Sequence, residues 1–479
     1  MTSTKHPMET VDYDRTKLRI CLLHIGFGAF AKAHVLVFHD EMLRRTKSDW
    51  GVAVTRLNSG ADDLTRLDEA DGIYTVGEMS GDDLSLRQVG AICTTVHPKR
   101  DGINALPDRI ADPDLAVITL TITEKGYCLK DGKLDEDNAG IRQDLSTPEA
   151  PSTAIGVLVE GLRRRQSAGG LAGLTILSCD NLPANGELCR RAVLDFAVRL
   201  SPALAAWIED NCTFPCSMVD RITPAMTDNS FETLENALGH KDRNGILCET
   251  FRQWVIEDRF AGPRPDWHLA GAEFVDDVAP FEEMKLRMLN GTHSFLAYLG
   301  ALASKETIAD CMADPVFRQA ALDLMLSEQA PTLTVPDGVD IKAYAEALIA
   351  RFENTALHHK TTQIASDGSQ KLPQRLLAPI RQHLKDGSPW TLSALAVAGW
   401  MLYCRGVSKT GSALPLNDPM SGRIEAIAQE ADGLEYVDKM LSLSEIFGDD
   451  LPRSEPFTSA LKSAYQRLQS TDVASALKG

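Results

Sequence analysis

Residues 20–25, Ile-Cys-Leu-Leu-His-Ile, form an almost unbroken apolar run that stops at Gly26-Phe27-Gly28-Ala29-Phe30-Ala31. Apolar positions then recur at helical spacing over 33–45, so strand, glycine-rich turn and helix follow one another. Short apolar runs at 51–54, 115–120 and 174–177 read as strands buried on both faces, because a strand covered on both sides shows no polar alternation. The pattern at 152–165 predicts an amphipathic helix between the last two. Strands alternating with helices predict a doubly wound α/β domain. Past about residue 275 the texture changes. Segments 284–304, 315–328, 341–352, 392–403 and 423–441 carry apolar spacing near 3.6 with few β-branched runs, which predicts a mainly α-helical second domain. The expected domains are 1–278 and 279–479; Pro/Gly stretches at 261–265 and 367–369 punctuate them, and no internal repeat is visible.

The 479 residues are ample for two or three domains. Lys plus Arg number 49 against 67 Asp plus Glu, a net charge of −18. That balance argues against nucleic acid or an anionic membrane as main partner, since both reward clustered cations. The opening 19 residues lack the apolar core of a signal peptide. The most apolar later stretch, 392–403, is too short for the roughly 20 residues of a membrane span. Ten cysteines run from Cys21 to Cys404 without a CxxC pair, and Cys212 and Cys216 lack zinc-finger partners. A cytoplasmic protein with reduced, mostly buried thiols is expected.

Gly26-x-Gly28-x-x-Ala31 is the G-x-G-x-x-G/A pattern of a Rossmann-like dinucleotide-binding turn. The first Gly permits the tight turn, the second admits a pyrophosphate, and a small third residue packs helix on strand. The acid that usually meets the ribose hydroxyls is missing from Val54-Thr55-Arg56-Leu57-Asn58; Asp62 and Asp63 come late. Arg56 reads either as a contact to a 2′-phosphate or adenine, or as a solvated loop cation. NAD versus NADP stays open at this point.

The segment 280–294 holds Lys285, Asn290 and His293. On an α-helix advancing about 100° per residue, Asn290 lies about 140° round from Lys285 and His293 about 80°. All three share one side if Lys285 bends inward. A cation, an amide and an imidazole converging suit alcohol oxidation: a base removes the hydroxyl proton, donors hold the oxygen, and hydride leaves for a nicotinamide. Lysine's reference pKa is about 10.4, so such a base needs burial or cationic neighbours, and Met284, Leu286, Met288 and Leu289 offer apolar surroundings. Spacing alone also allows a surface lysine and a helix-capping asparagine.

Lys285-x4-Asn290-x2-His293, set in Lys-Leu-Arg-Met-Leu-Asn-Gly-Thr-His-Ser, resembles the signature of the polyol-specific long-chain dehydrogenase/reductase family, the mannitol dehydrogenase family. Segments 26–34, 71–75, 121–128, 178–186, 218–224, 251–258 and 367–375 match in order, across roughly residues 20 to 440. The resemblance implies a zinc-independent NAD(P) enzyme with its active site in the cleft between the domains. Lys285 would be the general base, Asn181 and Asn290 donors to the substrate oxygen, and His293 the orienting residue. Glu282, three residues before the lysine, would help proton exchange, and Asp220 would line the cleft. Gly26, Gly28, Phe30, Arg56 and Glu124 would meet the cofactor. Each has a bland counterpart: Asn181 as a strand-end turn residue, Asp220 as partner of Arg221, Glu282 as an exposed carboxylate favoured by the helix dipole. Where the family commonly has Arg before Ala-His, this chain has Lys32, which keeps the charge but loses the planar fork at the phosphates.

Segments 124–128 and 251–258 look closer to the fructuronate reductase (D-mannonate oxidoreductase) branch, which implies interconversion of D-mannonate and D-fructuronate. A substrate carboxylate then needs a cation, and Lys125, Lys371 and Arg375 are candidates, each also readable as a surface charge. A neutral pocket would point instead to D-mannitol (a mannitol 2-dehydrogenase) or D-arabinitol. A catalytically silent nucleotide-binding protein is the alternative of a different class; the presence of the lysine, both asparagines and the histidine argues against it. The expected partners are a small sugar acid or polyol and NAD, with NADP open, no metal, no nucleic acid and no membrane, on a monomer or weak oligomer.

Overall fold

The apolar runs of the first half pair into one parallel sheet. In the computed structural model, which describes residues 8–478, these strands are β1 (Arg19–Ile25), β2 (Trp50–Thr55), β3 (Ile92–Val96), β4 (Val117–Leu120) and β5 (Thr175–Ser178). Their order is β3-β2-β1-β4-β5, every pair parallel, the doubly wound order of a Rossmann-type sheet. Alternate side chains feed two cores. Leu22, Val52, Val54, Val117 and Leu177 join the side of helix Val35–Thr46; Leu23, Ile25, Ala53, Ile118, Leu120 and Ile176 join the side of helices Ala154–Ala168 and Asn185–Leu200. Both faces are buried, which explains the lack of polar alternation. Strand β3 carries Cys93, Thr94 and Thr95 and has an exposed position, so it made no apolar run.

The predicted helix at 33–45 is two helices, Ala29–Ala33 and Val35–Thr46, broken at His34 (φ −122°, ψ −79°). The His34 ring stacks on Phe30 at 4.8 Å, and its Nε2 lies 2.8 Å from the Gln253 carbonyl oxygen. Three smaller sheets accompany the first: a four-stranded one containing Tyr74–Ser80 and Asp83–Val89, a three-stranded one containing Ser217–Asp220 and Gln253–Glu257, and the two-stranded pair Leu129–Lys130 and Lys133–Leu134. The chain divides into two compact units, Met1–Ala279 and Pro280–Gly479.

Among its described residues the second unit has helices and no strand longer than an isolated bridge. Helices Thr292–Leu302 and Thr391–Tyr403 are apolar nearly all round and form its buried centre. They cross closely at Gly399, where a Cβ would lie 2.6 Å from Leu299 Cδ2. The predicted 341–352 helix is Ile341–Phe352, whereas 423–441 divides into Ser421–Glu430 and Gly433–Leu441 at extended Asp432. Segments 284–304 and 315–328 are not continuous α-helices. Each contains a π-helical turn, Lys285–Gly291 and Leu324–Gln329, and a third spans Pro373–Leu377. Among the described residues no helix is long and apolar enough to cross a membrane. None of the ten cysteines is in a disulfide, and eight are buried.

Candidate active site

In the first unit the site is built at the C-terminal ends of β1 and β4, where the strand order reverses and such sheets hold ligands. Gly26 has φ +98°, and a Cβ there would stand 2.1 Å from the Thr121 carbonyl oxygen, so glycine is required. The N–H groups of Gly26 and Phe27 donate to the Thr55 carbonyl at 3.0 and 2.9 Å, and Thr121 Oγ1 donates to the Gly26 carbonyl at 2.7 Å. His24 bridges the Thr119 and Thr121 hydroxyls at 2.8 and 3.0 Å; full burial pushes its pKa down to about 4. Gly28 caps the helix Ala29–Ala33, and the nearest atom to a Cβ placed there is 3.7 Å away.

A cavity of about 490 Å³ opens at this turn, a size ordinary for a small-molecule or cofactor site. It is bordered by Gly28, by Gly140 and by Ser152-Thr153-Ala154, which stand at the starts of helices Ala29–Ala33, Ala139–Ser146 and Ala154–Ala168. First-turn N–H groups carry partial positive charge and suit a pyrophosphate, so the residues present fit a bound dinucleotide. Arg56, Leu57, Asn58 and Ser59 form the wall beyond β2. Arg56 Nη1 donates to Asp63 Oδ2 at 2.7 Å, and Asp63 also pairs with Arg66. Asp63, late in sequence, is therefore folded back onto this wall.

Other expected residues take different places. Phe30 does not line the cavity; its ring stacks on His34, while Phe27 lines it. Glu124 is exposed in the first turn of Thr123–Gly126 and is likewise off the cavity wall. Lys125, expected at a substrate carboxylate, lines this dinucleotide cavity. Lys32, expected at the phosphates, is half-buried with its Nζ 3.0 Å from the Asn244 carbonyl and 5.2 Å from the Phe27 ring centre. Burial depresses its pKa to about 8. Sequence reasoning missed Asn58, Ser59 and Ser152-Thr153. The local signal for the last pair was Thr153 as helix cap, its Oγ1 accepting from Gly156 N at 3.0 Å.

Asn181 follows β5 and is exposed. Its neighbour Asp180 accepts from the N–H groups of Ile122 and Thr123 and from Tyr127 Oη at 3.0, 2.8 and 2.7 Å, which ties the ends of β4 and β5 together. Asp220 is buried at the end of strand Ser217–Asp220. The Arg221 guanidinium bonds to Glu78 and to the carbonyls of Ala33 and Glu249.

In the second unit, Glu282 sits half-buried in helix Ala279–Met284, one turn before Lys285. Lys285 itself is 8% exposed and opens the π-helical turn. Hydrogen bonding from i to i+5 brings residues five apart onto one face. Asn290 therefore stands a turn along from Lys285, not about 140° round as α-helical spacing gave. Glu283 pairs with Arg287, whose guanidinium also bonds the Thr332 carbonyl. The three π turns meet at Gly291, where a Cβ would lie 3.0 Å from the Arg375 carbonyl oxygen and 3.3 Å from Gln329 Nε2.

Arg375 Nη1 donates to the Asn290 carbonyl at 3.3 Å and to Ser294 Oγ at 3.2 Å. Lys371 Nζ donates to the carbonyls of Ser366 and Ile364 at 2.6 and 3.2 Å. Both expected carboxylate partners thus meet backbone carbonyls, while Arg375 keeps a buried Nε without a hydrogen-bond partner. His293 is buried, with its ring centre 4.7 Å from Phe352 and 5.8 Å from His359. Burial, then the charges of His359, Arg351, Arg375 and Lys371, holds its pKa well below the usual imidazole value. Arg351, Phe352 and His359 were missed; a helix end followed by His-His is too common a pattern to single out. Among the described residues no three His, Cys, Asp or Glu side chains are grouped to hold a metal ion.

A family model of the mannitol dehydrogenase Rossmann domain matches residues 20–269, and one of the mannitol dehydrogenase C-terminal domain matches 277–469. The chain is 47% identical to the D-mannonate oxidoreductase of Escherichia coli (strain K12), over 96% of each chain. Its fold is similar to that of Pseudomonas fluorescens mannitol 2-dehydrogenase, solved as a ternary complex with NAD and D-mannitol. That pair has a TM-score of 0.82 at 34% identity, covering 98% of this chain and 96% of the other. A D-sorbitol dehydrogenase solved substrate-free aligns with a TM-score of 0.93 at 30% identity, over 98% and 97%.

Proposed function

The chain belongs to the mannitol dehydrogenase family, and from that premise we propose that this oxidoreductase interconverts D-mannonate and D-fructuronate with NAD. NAD, when bound, supplies the hydride acceptor. Lys285 Nζ takes the hydroxyl proton of the substrate carbon being oxidised and returns it in the reverse direction. The Asn290 amide donates to the oxygen as it gains negative charge, and Asn181 is assigned the same task by the family resemblance. His293, neutral by burial among bases, orients the neighbouring hydroxyl groups. Glu282 exchanges the lysine's proton with solvent. Asp220 belongs to the substrate's surroundings by resemblance alone.

The observation that carries the reaction class is the buried π turn that aligns Lys285 with Asn290 and stands Arg375 behind the latter's carbonyl. What favours a sugar acid over a neutral polyol is the group of basic side chains around His293, together with the 47% identity to a D-mannonate oxidoreductase. NAD is favoured over NADP because Asp63 already neutralises Arg56 at the cavity wall. Lys125 serves this cofactor cavity, and Arg375 serves as a positioning residue for Asn290. A cytoplasmic monomer completes the reading.

Nicotinamide absorbance with purified protein tests it, using NAD and NADP against D-mannonate, D-mannitol, D-arabinitol and D-sorbitol. Oxidation of D-mannonate with NAD at the highest kcat/KM is expected. Preference for a neutral polyol would replace the substrate, and nucleotide binding without turnover of any of them would replace the reaction.

A further inference from the structure

Among the described residues, the charged side chains that border the dinucleotide cavity are two cations, Arg56 and Lys125, with no acid beside them. Arg56 is committed within the protein. It pairs with Asp63 and folds against Gly60, where a Cβ would lie 2.4 Å from its Nη1. Lys32, the cation expected at the phosphates, reaches the Asn244 carbonyl instead and does not border the cavity. Lys125 differs from both. It stands exposed at the cavity wall, and its amine has no hydrogen-bond or ion-pair partner among the described residues.

The turn that carries Lys125 is fixed from beneath. Asp180, buried just past the end of β5, accepts from the N–H groups of Ile122 and Thr123 and from Tyr127 Oη. Tyr127 is itself buried, with its Oη 2.6 Å from Ser178 Oγ. Thr123 (φ +62°) and Cys128 (φ +51°), one on each side of the lysine, hold left-handed backbone that neither residue type favours. Strain of this kind persists where surrounding bonds over-determine it, and it gathers at ligand sites; here both strained residues line the cavity. Position in the sheet says which part of a ligand Lys125 meets. Arg56 follows β2 and Lys125 follows β4, on opposite sides of β1. The residue after the second strand of a dinucleotide sheet faces the adenosine ribose, so Lys125 lies across the glycine turn from that ribose. The anionic part of NAD is its pyrophosphate, and a flexible ammonium is an effective point-charge partner for phosphate.

We propose that Lys125 is the cation that pairs with the pyrophosphate of the cofactor, the task the sequence suggested for Lys32. The proposal rests on the dinucleotide reading of this cavity and names the charge contact within it. It also withdraws Lys125 from the substrate carboxylate.

The experiment titrates NAD, ADP-ribose and adenosine into the wild type, Lys125→Met and Lys125→Arg by fluorescence, with thermal unfolding as a control for the fold. ADP-ribose keeps the pyrophosphate and adenosine lacks it. Lys125→Met is expected to weaken NAD and ADP-ribose roughly 5- to 20-fold, between the scale of an exposed ion pair and that of a charged hydrogen bond. Adenosine should change by less than about 2-fold, and Lys125→Arg, which keeps the charge, should recover most of the loss. Equal losses on ADP-ribose and adenosine overturn the proposal. The NaCl dependence of NAD affinity is a second readout, because salt screens an ion pair at a cavity mouth. A flatter dependence in Lys125→Met supports the contact, and an unchanged slope overturns it. A rise confined to the KM of D-mannonate would return Lys125 to the substrate carboxylate, and a shift confined to NADP would place it at the 2′-phosphate; either overturns the proposal. A wild type that binds neither NAD nor ADP-ribose overturns the dinucleotide reading as well. One that binds both, with Lys125→Met unchanged, overturns this assignment alone.

Discussion

Replacing Arg375 by methionine keeps the chain's volume and removes the guanidinium that holds the Asn290 carbonyl and Ser294 Oγ. The bonds measure 3.3 and 3.2 Å, at the long end of the normal range, so each belongs at the weak end for a charged donor, about 1–1.5 kcal/mol. Losing both frees the π turn at Asn290 and costs about 2–3 kcal/mol of transition-state stabilisation, or roughly 30- to 150-fold in rate. The loss belongs in kcat, because the Asn290 amide matters most once the substrate oxygen carries charge. It should be the same for D-mannonate and D-mannitol if the Nη1 bond to the protein's own Asn290 carbonyl is what the guanidinium contributes. Steady-state kinetics on both substrates, with NAD binding followed separately by fluorescence, measures this. A loss confined to D-mannonate would show that Arg375 meets the substrate carboxylate and would refute the positioning argument. An unchanged kcat would refute the link through Asn290. A second readout is the acid limb of the pH–rate profile. Arg375 helps hold the His293 pKa down, so its removal should move that pKa upward and shift the limb to higher pH.

Lys285→Ala should lower kcat by roughly 100- to 10,000-fold, the range of a lost general base, with NAD affinity unchanged by calorimetry; retained turnover at neutral pH would remove Lys285 from that role. Asp63→Asn should release Arg56 from its ion pair and raise the NADP-to-NAD ratio of kcat/KM by about 10-fold, the scale of one charged contact; an unchanged ratio would mean that Arg56 does not reach the ribose. His24 and His39 are fully buried, with pKa values pushed down to about 4, and His34 is pushed to about 3. Their rings stay neutral in the fold while the unfolded chain protonates them below about pH 6.5, so unfolding releases less stability as pH falls from 6.5 towards 4. At pH 5 each ring should cost about 2 kcal/mol, and chemical denaturation of the first unit at pH 7.5 and pH 5 should reveal it. Equal stability at the two pH values would contradict their neutral burial.

What could be read from the chain and what could not divides along physical range. Strand β1, the turn at Gly26 and the helix pattern after it are local: an apolar run, a backbone angle open only to glycine, a 3.6-residue spacing. Strand β3 escaped because threonine and cysteine fill it, and β-structure depends on neighbours more than on composition. The break at His34 escaped because its cause, the Gln253 carbonyl, lies 219 residues away. The π turn at Lys285 escaped because hydrophobic spacing does not distinguish i+4 from i+5 bonding over a single turn.

The sequence by itself determined a doubly wound dinucleotide unit, a helical second unit, the family, and the lysine, asparagine and histidine on one short segment. All but the family follow from residue type and spacing within short segments; the family follows from such segments matching in order along the chain. Tertiary structure alone decided which carbonyl each cation meets: Lys32 that of Asn244, 212 residues on, and Arg375 that of Asn290, 85 residues back. It also carried Lys125 to the dinucleotide cavity and His359 to His293. A cation partly withdrawn from water needs an acceptor, and packing between distant segments determines which acceptor lies within reach.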